Sequence, residues 1–203
     1  MAAMDRRVVI AGLVGCGLTP AAWSQGNPDL TFPGRVAIGA ELRAAKPEIY
    51  DPAYVKLSYP MGDVADDRGV CADTIVRAFR HAGVDLQVLV HDDMAADFAA
   101  YPQLWGLNRP DRNIDHRRVP NLETFFRRRG GARALSVREA DYRPGDIVSW
   151  RLTGGGLPHI GVVTRKVEAG APLVAHNIGA GTQMEPVLFA WPMKGWFRFT
   201  SWT

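Results

Sequence analysis

Cysteine is scarce in this chain, which has two among 203 residues. A disulfide framework of the kind that stabilises small secreted domains is therefore excluded. Cys16 lies in an N-terminal stretch with the features of an export signal, so cleavage of that stretch would leave Cys71 as a single thiol. A single cysteine in an exported chain is a free reactive thiol, half of an intermolecular bridge, or a small buried hydrophobe. The cysteine count alone does not decide among these three alternatives.

Apolar runs long enough to span a bilayer are also missing from the N-terminal region. Arg6 and Arg7 precede an apolar run at residues 8–18, and the small residues Ala22 and Ser24 follow it. The run is about half of the roughly 20 residues that a membrane-spanning helix needs. This layout predicts a signal peptide at residues 1–24 and no stable transmembrane anchor. We expect an exported protein of the periplasm or cell envelope.

Two variants of this signal remain open. The tetrapeptide "LVGC" ends at Cys16 and looks like a lipoprotein box, which would make Cys16 a lipid-anchoring residue. The segment "RRVVI" looks like a weak twin-arginine signal.

A large excess of one charge is absent as well. The 24 basic and 21 acidic residues give a formal net charge of +3, which is not the footprint of a nucleic-acid-binding protein. No Cys/His spacing of a known metal site occurs, so we expect that His91 and His116 bind no metal and have hydrogen-bonding roles. We expect no cofactor. Residues 25–203 contain no repeat or obvious linker, which predicts one domain. The oligomeric state cannot be predicted.

Hydrophobic periodicity separates the chain into a helical half and a strand-rich half. Helices are predicted at residues 35–45, 71–82, about 92–100 and 121–129. Strands are predicted at residues 146–152, 159–166, 172–178, 184–190 and 195–201, and residues 53–59 alternate in the manner of a strand or an extended arm. Short connections in the second half favour antiparallel pairing. The prediction is an α+β fold in which helices pack on an antiparallel sheet of about five to six strands.

Three residues in this framework could form a nucleophilic site. Cys71 begins an amphipathic helix, whose free N–H groups and dipole favour a thiolate and lower the pKa of the thiol. His159 and His176 lie on successive predicted strands, where one could act as a base and the other could orient it. The order of these residues along the chain does not show that they meet.

The surrounding motifs add a family resemblance. The segments "YPMGDVADDRGVCADTIVRAFRHAG", "RPGDIVSW", "PHIGVV" and "LVAHN" resemble the NlpC-type papain-like cysteine peptidases of bacterial cell walls. Together with "VHDDM", "NIDHRRVPNL" and "HNIG", they are more similar to domain-of-unknown-function family 1287, which is grouped with those peptidases. The resemblance implies a papain-like catalytic domain over residues 25–203.

The resemblance also implies roles for individual residues. Cys71 matches the nucleophile, His159 the general base and acid, and His176 the residue that orients the base. Tyr59 matches a tyrosine that lines the site in the family. We further expect Asp73 and Asn177 to contribute to substrate binding.

One departure from the family pattern affects the substrate. Relatives usually have Asp-Cys-Ser-Gly at the nucleophile, whereas residues 70–73 of this chain are Val-Cys-Ala-Asp. The change alters the subsite beside the thiol more than the thiol itself.

The function implied by these residues is hydrolysis of an amide bond by an exported thiol enzyme, with peptidoglycan or another peptide as the substrate. Two alternatives remain. The chain could be a non-catalytic cell-envelope binding module with the same fold, or a papain-like acyltransferase or lipid-directed hydrolase.

Overall fold

The computed structural model describes residues 31–202. The predicted signal peptide, including Cys16, lies outside the described residues. Between residues 31 and 202, no helix is both long and apolar enough to cross a membrane.

The α-helices of the described chain all lie before residue 129. The four α-helices are α1 (Phe32–Ala44), α2 (Cys71–His81), α3 (Leu86–Ala96) and α4 (Val119–Arg128). Short 3₁₀ turns occupy Phe98–Ala100, Asp115–Arg117 and Glu139–Asp141.

Strands dominate the second half. The strands are β1 (Ile49–Tyr50), β2 (Arg68–Gly69), β3 (Ile147–Arg151), β4 (Pro158–Glu168), β5 (Ala171–Asn177), β6 (Thr182–Glu185) and β7 (Met193–Phe197). The main sheet has five antiparallel strands in the order β6-β5-β4-β3-β7, and β1 and β2 form a separate short parallel pair. The predicted α+β class is confirmed.

The register of the sheet aligns three residues that matter below. Trp150 on β3 lies opposite His159 on β4, and His176 on β5 lies opposite Gln183 on β6. Since opposite residues share a face of the sheet and alternate residues do not, His159 and Trp150 point to one face. Ile160 points to the other face, where α1 and α2 pack.

Helix α2 forms the centre of the main core. Its residues Ile75 and Phe79 are fully buried, and the Phe79 ring stacks on Phe126 of α4 with centroids 5.4 Å apart. Full burial of such a side chain contributes roughly 1.5–3 kcal/mol. The burial of this helix face fixes the position of its first residue, Cys71, against the sheet.

The opposite face of the sheet has its own core cluster. Trp150, Val174 and Leu188 are buried there, and Trp150 Nε1 donates to the Leu188 carbonyl oxygen at 2.9 Å. Because both faces are covered, residues 147–150 of β3 are all buried instead of alternating with exposed residues.

Some predicted elements differ from the structure in their bounds or type. Of the two alternatives for residues 53–59, the structure excludes the strand: the segment has no strand partner, and Leu57 N donates to Asn113 Oδ1 at 2.9 Å. The strand predicted at residues 184–190 ends at Glu185, where Pro186 has no N–H to continue the ladder. The helix predicted at about residues 92–100 begins earlier, at Leu86, where Asp85 caps it by accepting from Gln87 N.

Candidate active site

Cys71 is placed at the first position of α2, beside the start of β4. The residue is 6% exposed and lines a cavity of about 220 Å³. Tyr50, Trp105, Arg118 and Pro158 also line this cavity. The thiol is therefore buried among protein atoms on one side and borders an open pocket on the other.

The start of α2 is anchored by Asp73. Its carboxylate accepts from Val70 N at 2.7 Å and forms a two-pronged ion pair with Arg117, with contacts of 2.7 and 3.0 Å. Both side chains of the pair are 2% exposed. Asp73 thus fixes the backbone on either side of Cys71, and its oxygens are already occupied. The carboxylate of Asp73 thus has a structural role, and its substrate-binding role stays a prediction.

Burial dominates the electrostatics of the thiol. It raises the pKa of Cys71 to about 12, although backbone N–H groups of Ile160, Ala72 and Cys71 itself favour the anion. The contact with the Ile160 N–H brings the sulfur to the residue that follows His159. The depressed thiol pKa expected from the helix N-terminus is wrong, because desolvation outweighs the N–H groups.

His159 and His176 form a hydrogen-bonded pair on neighbouring strands. Nε2 of His159 lies 2.9 Å from Nδ1 of His176, and both residues are buried. Nε2 of His176 lies 2.9 Å from Glu185 Oε2, in ion-pair contact but outside hydrogen-bond alignment. The structure thus brings together the two histidines predicted as base and orienting residue, and adds a carboxylate behind them.

Two tryptophans enclose the histidine pair. The ring of Trp150 stacks on His159 with centroids 5.6 Å apart. Trp191 meets both histidines edge-to-face, at 5.6 Å from His159 and 5.8 Å from His176. These rings restrict the imidazoles to one orientation and exclude water from the bond between them.

The resting pair of Cys71 and His159 is neutral. Burial, followed by the neighbouring His176, lowers the pKa of His159 to about 3. With the thiol pKa at about 12, neither residue is charged near pH 7. Because Nε2 of His159 faces His176, Nδ1 is the ring nitrogen left for proton exchange. The roles implied for Cys71 and His159 predict a contact between the sulfur and the ring. Within residues 31–202 no hydrogen bond joins them, and His159 points to the face of β4 opposite to the one on which α2 packs, so this contact is not formed.

A buried carboxylate ties the two halves of the site together. The Glu48 side chain is 0% exposed and contacts Arg77 of α2 at 2.7 Å. It also accepts from Thr182 N at 3.1 Å and from Asn177 Nδ2 at 3.3 Å. Glu48 therefore connects α2, which carries the thiol, to β5, which carries His176, and to β6.

Comparison with known proteins identifies the family. A model of the family described as Domain of unknown function (DUF1287) matches residues 37–199. The chain belongs to this family. Its membership in DUF1287 confirms the prediction made from the motifs around Cys71, His159 and His176.

Two individual proteins are similar to this DUF1287 chain. One is uncharacterized protein YijF of Escherichia coli (strain K12), which is 58% identical over 165 residues, or 81% of this chain and 80% of the relative. The other is the solved structure of NlpC1 from Trichomonas vaginalis, with a TM-score of 0.45 and 14% identity. That match covers 83% of this chain and 44% of NlpC1, so the chain spans less than half the length of that protein.

Tyr59 does not lie at the cavity in this DUF1287 chain. Its ring packs edge-to-face on His91 at 5.5 Å, and its hydroxyl donates to Asp92 Oδ1 at 3.4 Å. The tyrosine that lines the cavity is Tyr50. Its pKa is raised by burial and by the nearby Cys71 and Asp73. Tyr50 therefore replaces Tyr59 as the tyrosine of the candidate site.

Asn177, like Asp73, has a buried side chain that is hydrogen-bonded to neighbouring parts of the fold. Its side chain is fully buried, donates to the Gly69 carbonyl oxygen at 3.3 Å, and accepts from Gly179 N at 3.2 Å. These bonds hold the end of β5 against β2. The substrate-binding role of Asn177 stays a prediction.

His91 and His116 lie apart from the histidine pair. His91 is on α3 instead of in the predicted loop, and burial lowers the pKa of His116 in its 3₁₀ turn to about 4. Neither Nδ1 atom has a hydrogen-bond partner in the described chain, so the expected role is not seen at that atom. No group of three or more His, Cys, Asp or Glu residues within 31–202 is arranged to hold a metal ion.

Alkylation of Cys71 should report its raised pKa. Because burial stabilises the neutral thiol, we expect the rate of modification of the folded chain by iodoacetamide to keep rising above pH 9. The same chain in denaturant should level off above its ordinary pKa of about 8.5. Intact-mass spectrometry across the pH range measures both rates. A plateau for the folded chain below pH 7 would show a preformed thiolate and contradict the neutral pair.

Proposed function

We propose that this chain is an exported thiol hydrolase that cleaves an amide bond of peptidoglycan in the periplasm or cell envelope. One observation carries the proposal: Cys71 lines an open cavity at a helix start, next to β4, the strand that carries His159 of the His159–His176 pair. A nucleophile, a base and a group that orients the base are the minimum for acyl transfer through a thiol.

The reaction follows from the position of each group. Nδ1 of His159 accepts the thiol proton as the Cys71 sulfur attacks the carbonyl carbon of the amide. The resulting oxyanion is stabilised by the Cys71 backbone N–H at the start of α2. His159 then protonates the leaving amine, which leaves a thioester on Cys71. Water, deprotonated by His159, hydrolyses the thioester and releases the carboxylic acid.

The neutral resting pair makes base catalysis the required form of activation. A thiol with a pKa of about 12 is protonated at neutral pH, and a base with a pKa near 3 accepts its proton only as attack proceeds. The sulfur must first approach Nδ1 of His159. Because His159 lies on the face of β4 away from α2, the mechanism requires the start of β4 to rearrange when substrate binds.

The rim of the cavity supports a peptide joined to a sugar polymer as the substrate. Trp105 is 38% exposed, and the Arg118 guanidinium lies 4.0 Å from the centre of its ring. Tyr50 is 40% exposed on the same cavity. Aromatic faces pack against sugar and peptide surfaces.

Incubation of the purified chain with isolated peptidoglycan sacculi tests the proposal. Mass spectrometry of the soluble muropeptides should show pairs of products whose masses sum to the parent plus one water. The bond that was cut follows from the fragments. Intact muropeptides after prolonged incubation with a correctly folded chain would contradict hydrolysis of this substrate.

A non-catalytic binding module is the second candidate, and two observations favour it. The thiol is protonated at neutral pH, and no hydrogen bond links it to His159 in the described chain. Such a module would sediment with sacculi without releasing products. A Cys71→Ala variant of such a module should sediment with sacculi as well as the wild type does, and neither protein should cleave them.

An acyltransferase or lipid-directed hydrolase is the third candidate. The large apolar side chains of Leu104 and Leu157 are 67% and 65% exposed, on loops next to the cavity residues Trp105 and Pro158. Exposed apolar groups beside a thiol suit an acyl chain. Transfer of an acyl group to an added amine, in competition with water, would favour this candidate.

A further inference from the structure

We propose that Glu185 fixes the tautomer of His159 by acting through His176, and so keeps Nδ1 of His159 free of a proton. Glu185 is then a positioning residue for the base. This inference rests on the proposed function only in assigning His159 as the base. The arrangement of protons that it describes can be measured without a substrate.

The geometry provides a continuous chain of three side chains. Oε2 of Glu185 lies 2.9 Å from Nε2 of His176, and Nδ1 of His176 lies 2.9 Å from Nε2 of His159. Glu185 is on the edge strand β6, two residues beyond Gln183, which lies opposite His176. Its side chain is 47% exposed, whereas that of His176 is 0% exposed. The buried ring of His176 thus has one nitrogen, Nε2, that faces the solvent-accessible carboxylate of Glu185.

Each contact determines the next one. An ionised carboxylate can only accept hydrogen bonds, so Nε2 of His176 must carry the proton that faces Glu185. A neutral His176 then has a bare Nδ1, which accepts from Nε2–H of His159. A neutral His159 with its proton on Nε2 has a bare Nδ1, the form that can take a proton from a thiol. The opposite arrangement would place the bare Nε2 of His176 against a carboxylate, with two acceptors in contact.

Glu185 is also needed because no other partner is available for the outer nitrogen of His176. In the described chain Nε2 of His176 is buried and makes no aligned hydrogen bond. Its remaining neighbours are His159 on β4 and the rings of Trp150 and Trp191. Glu185 is the one charged group that acts on the titration of His176, where it opposes the lowering of the pKa by burial. A small rotation of the exposed carboxylate would align the contact.

Substitutions of Glu185 test whether the group that faces Nε2 of His176 must be a hydrogen-bond acceptor. In Glu185→Gln the amide oxygen can still accept from His176, so the proton arrangement should be retained. In Glu185→Lys the ammonium group can only donate, which favours a bare Nε2 on His176 and moves its proton to Nδ1. Nε2 of His159 must then accept, and its proton moves to Nδ1, where it blocks the base. Glu168→Lys changes an exposed glutamate on β4 by the same charge and is the matched control.

The test is ¹⁵N NMR of the histidine rings in the free protein. We expect His159 and His176 to be protonated on Nε2 in the wild type, in Glu185→Gln and in Glu168→Lys, and on Nδ1 in a large share of Glu185→Lys. On a cleaved substrate, Glu185→Lys should lower kcat by roughly 10–100-fold with KM unchanged, and Glu185→Gln by less than threefold. Thermal unfolding should show that all the variants are folded.

The outcomes distinguish this inference from the proposed function. A proton on Nδ1 of His159 in the wild type, or unchanged ring protonation in Glu185→Lys, would overturn the role of Glu185 whether or not the chain is an enzyme. Ring protons that respond as expected would support the role even in a chain that releases nothing from sacculi, and that chain's inactivity would count against the proposed function alone.

Discussion

Cys71→Ala should abolish release of muropeptides from sacculi, with a loss of about 10³-fold or more in turnover. In the proposed mechanism the sulfur forms the covalent intermediate, and alanine has no atom to replace it. His159→Ala should cause a loss of similar size. His176→Ala should retain part of the activity, because a residue that orients the base contributes less than the base. The measurement is product formation over time beside thermal unfolding of each variant.

A matched control separates chemistry from stability. Cys71→Ala should shift Tm by no more than a few degrees, as expected for about 1 kcal/mol. Val76→Ala removes a buried side chain from the same helix, 2% exposed, and should lower stability while turnover of the folded protein stays near that of the wild type. Full activity of Cys71→Ala would mean that the thiol only fills the core, and the proposed mechanism would be wrong.

Asp73→Asn should cause the largest loss of stability among single changes near the site. The substitution leaves Arg117 as a buried cation without its carboxylate and weakens the anchor of the Val70 N–H. Breaking a buried ion pair in this way costs about 3–5 kcal/mol. Urea unfolding monitored by tryptophan fluorescence gives the free energy of unfolding.

The design of this experiment includes a double variant and a surface pair. Asp73→Asn combined with Arg117→Met should recover part of the loss, because it also removes the unpaired charge. Arg138→Ala breaks the exposed ion pair with Asp141 and should leave the unfolding midpoint close to the wild-type value. A midpoint for Asp73→Asn that matches Arg138→Ala would show that the buried pair does not anchor α2.

The elements that sequence predicts well are those with a strong local pattern. Helix α2 is found within one residue, because its apolar residues recur at helical spacing and pack on one core. Residues 53–59 alternate like a strand but form none, because no strand lies beside them and Asn113 holds their backbone instead. An alternating pattern of apolar residues predicts which side chains face inward. Whether a strand forms also depends on a partner strand that is distant in the chain.

The candidate site also combines features that the sequence predicts with features that depend on long-range contacts. Cys71, His159 and His176 could be predicted from residue type and order, and the structure places the two histidines in contact. The family resemblance predicts Tyr59 as the tyrosine of the site. Tyr50 reaches the cavity instead because the β1–β2 pairing places it opposite Gly69, two residues before the thiol.

Other properties of the site depend on three-dimensional contacts. Glu185 contacts His176 through the register of β5 and β6, which no local pattern specifies. The raised pKa of Cys71 follows from burial under residues far away in the chain. Sequence identifies the reactive groups, and the packing around them decides their charge.

The contacts of Glu48 have a mechanical consequence for the approach of sulfur and imidazole. Because one buried carboxylate joins α2 to Asn177 on β5 and Thr182 on β6, sliding the thiol-bearing helix over these strands would break all of these contacts. His159 lies on β4, on the face away from α2 and against two indole rings. The meeting of sulfur and imidazole in the proposed mechanism therefore requires a rearrangement at the start of β4 and not a slide of the helix.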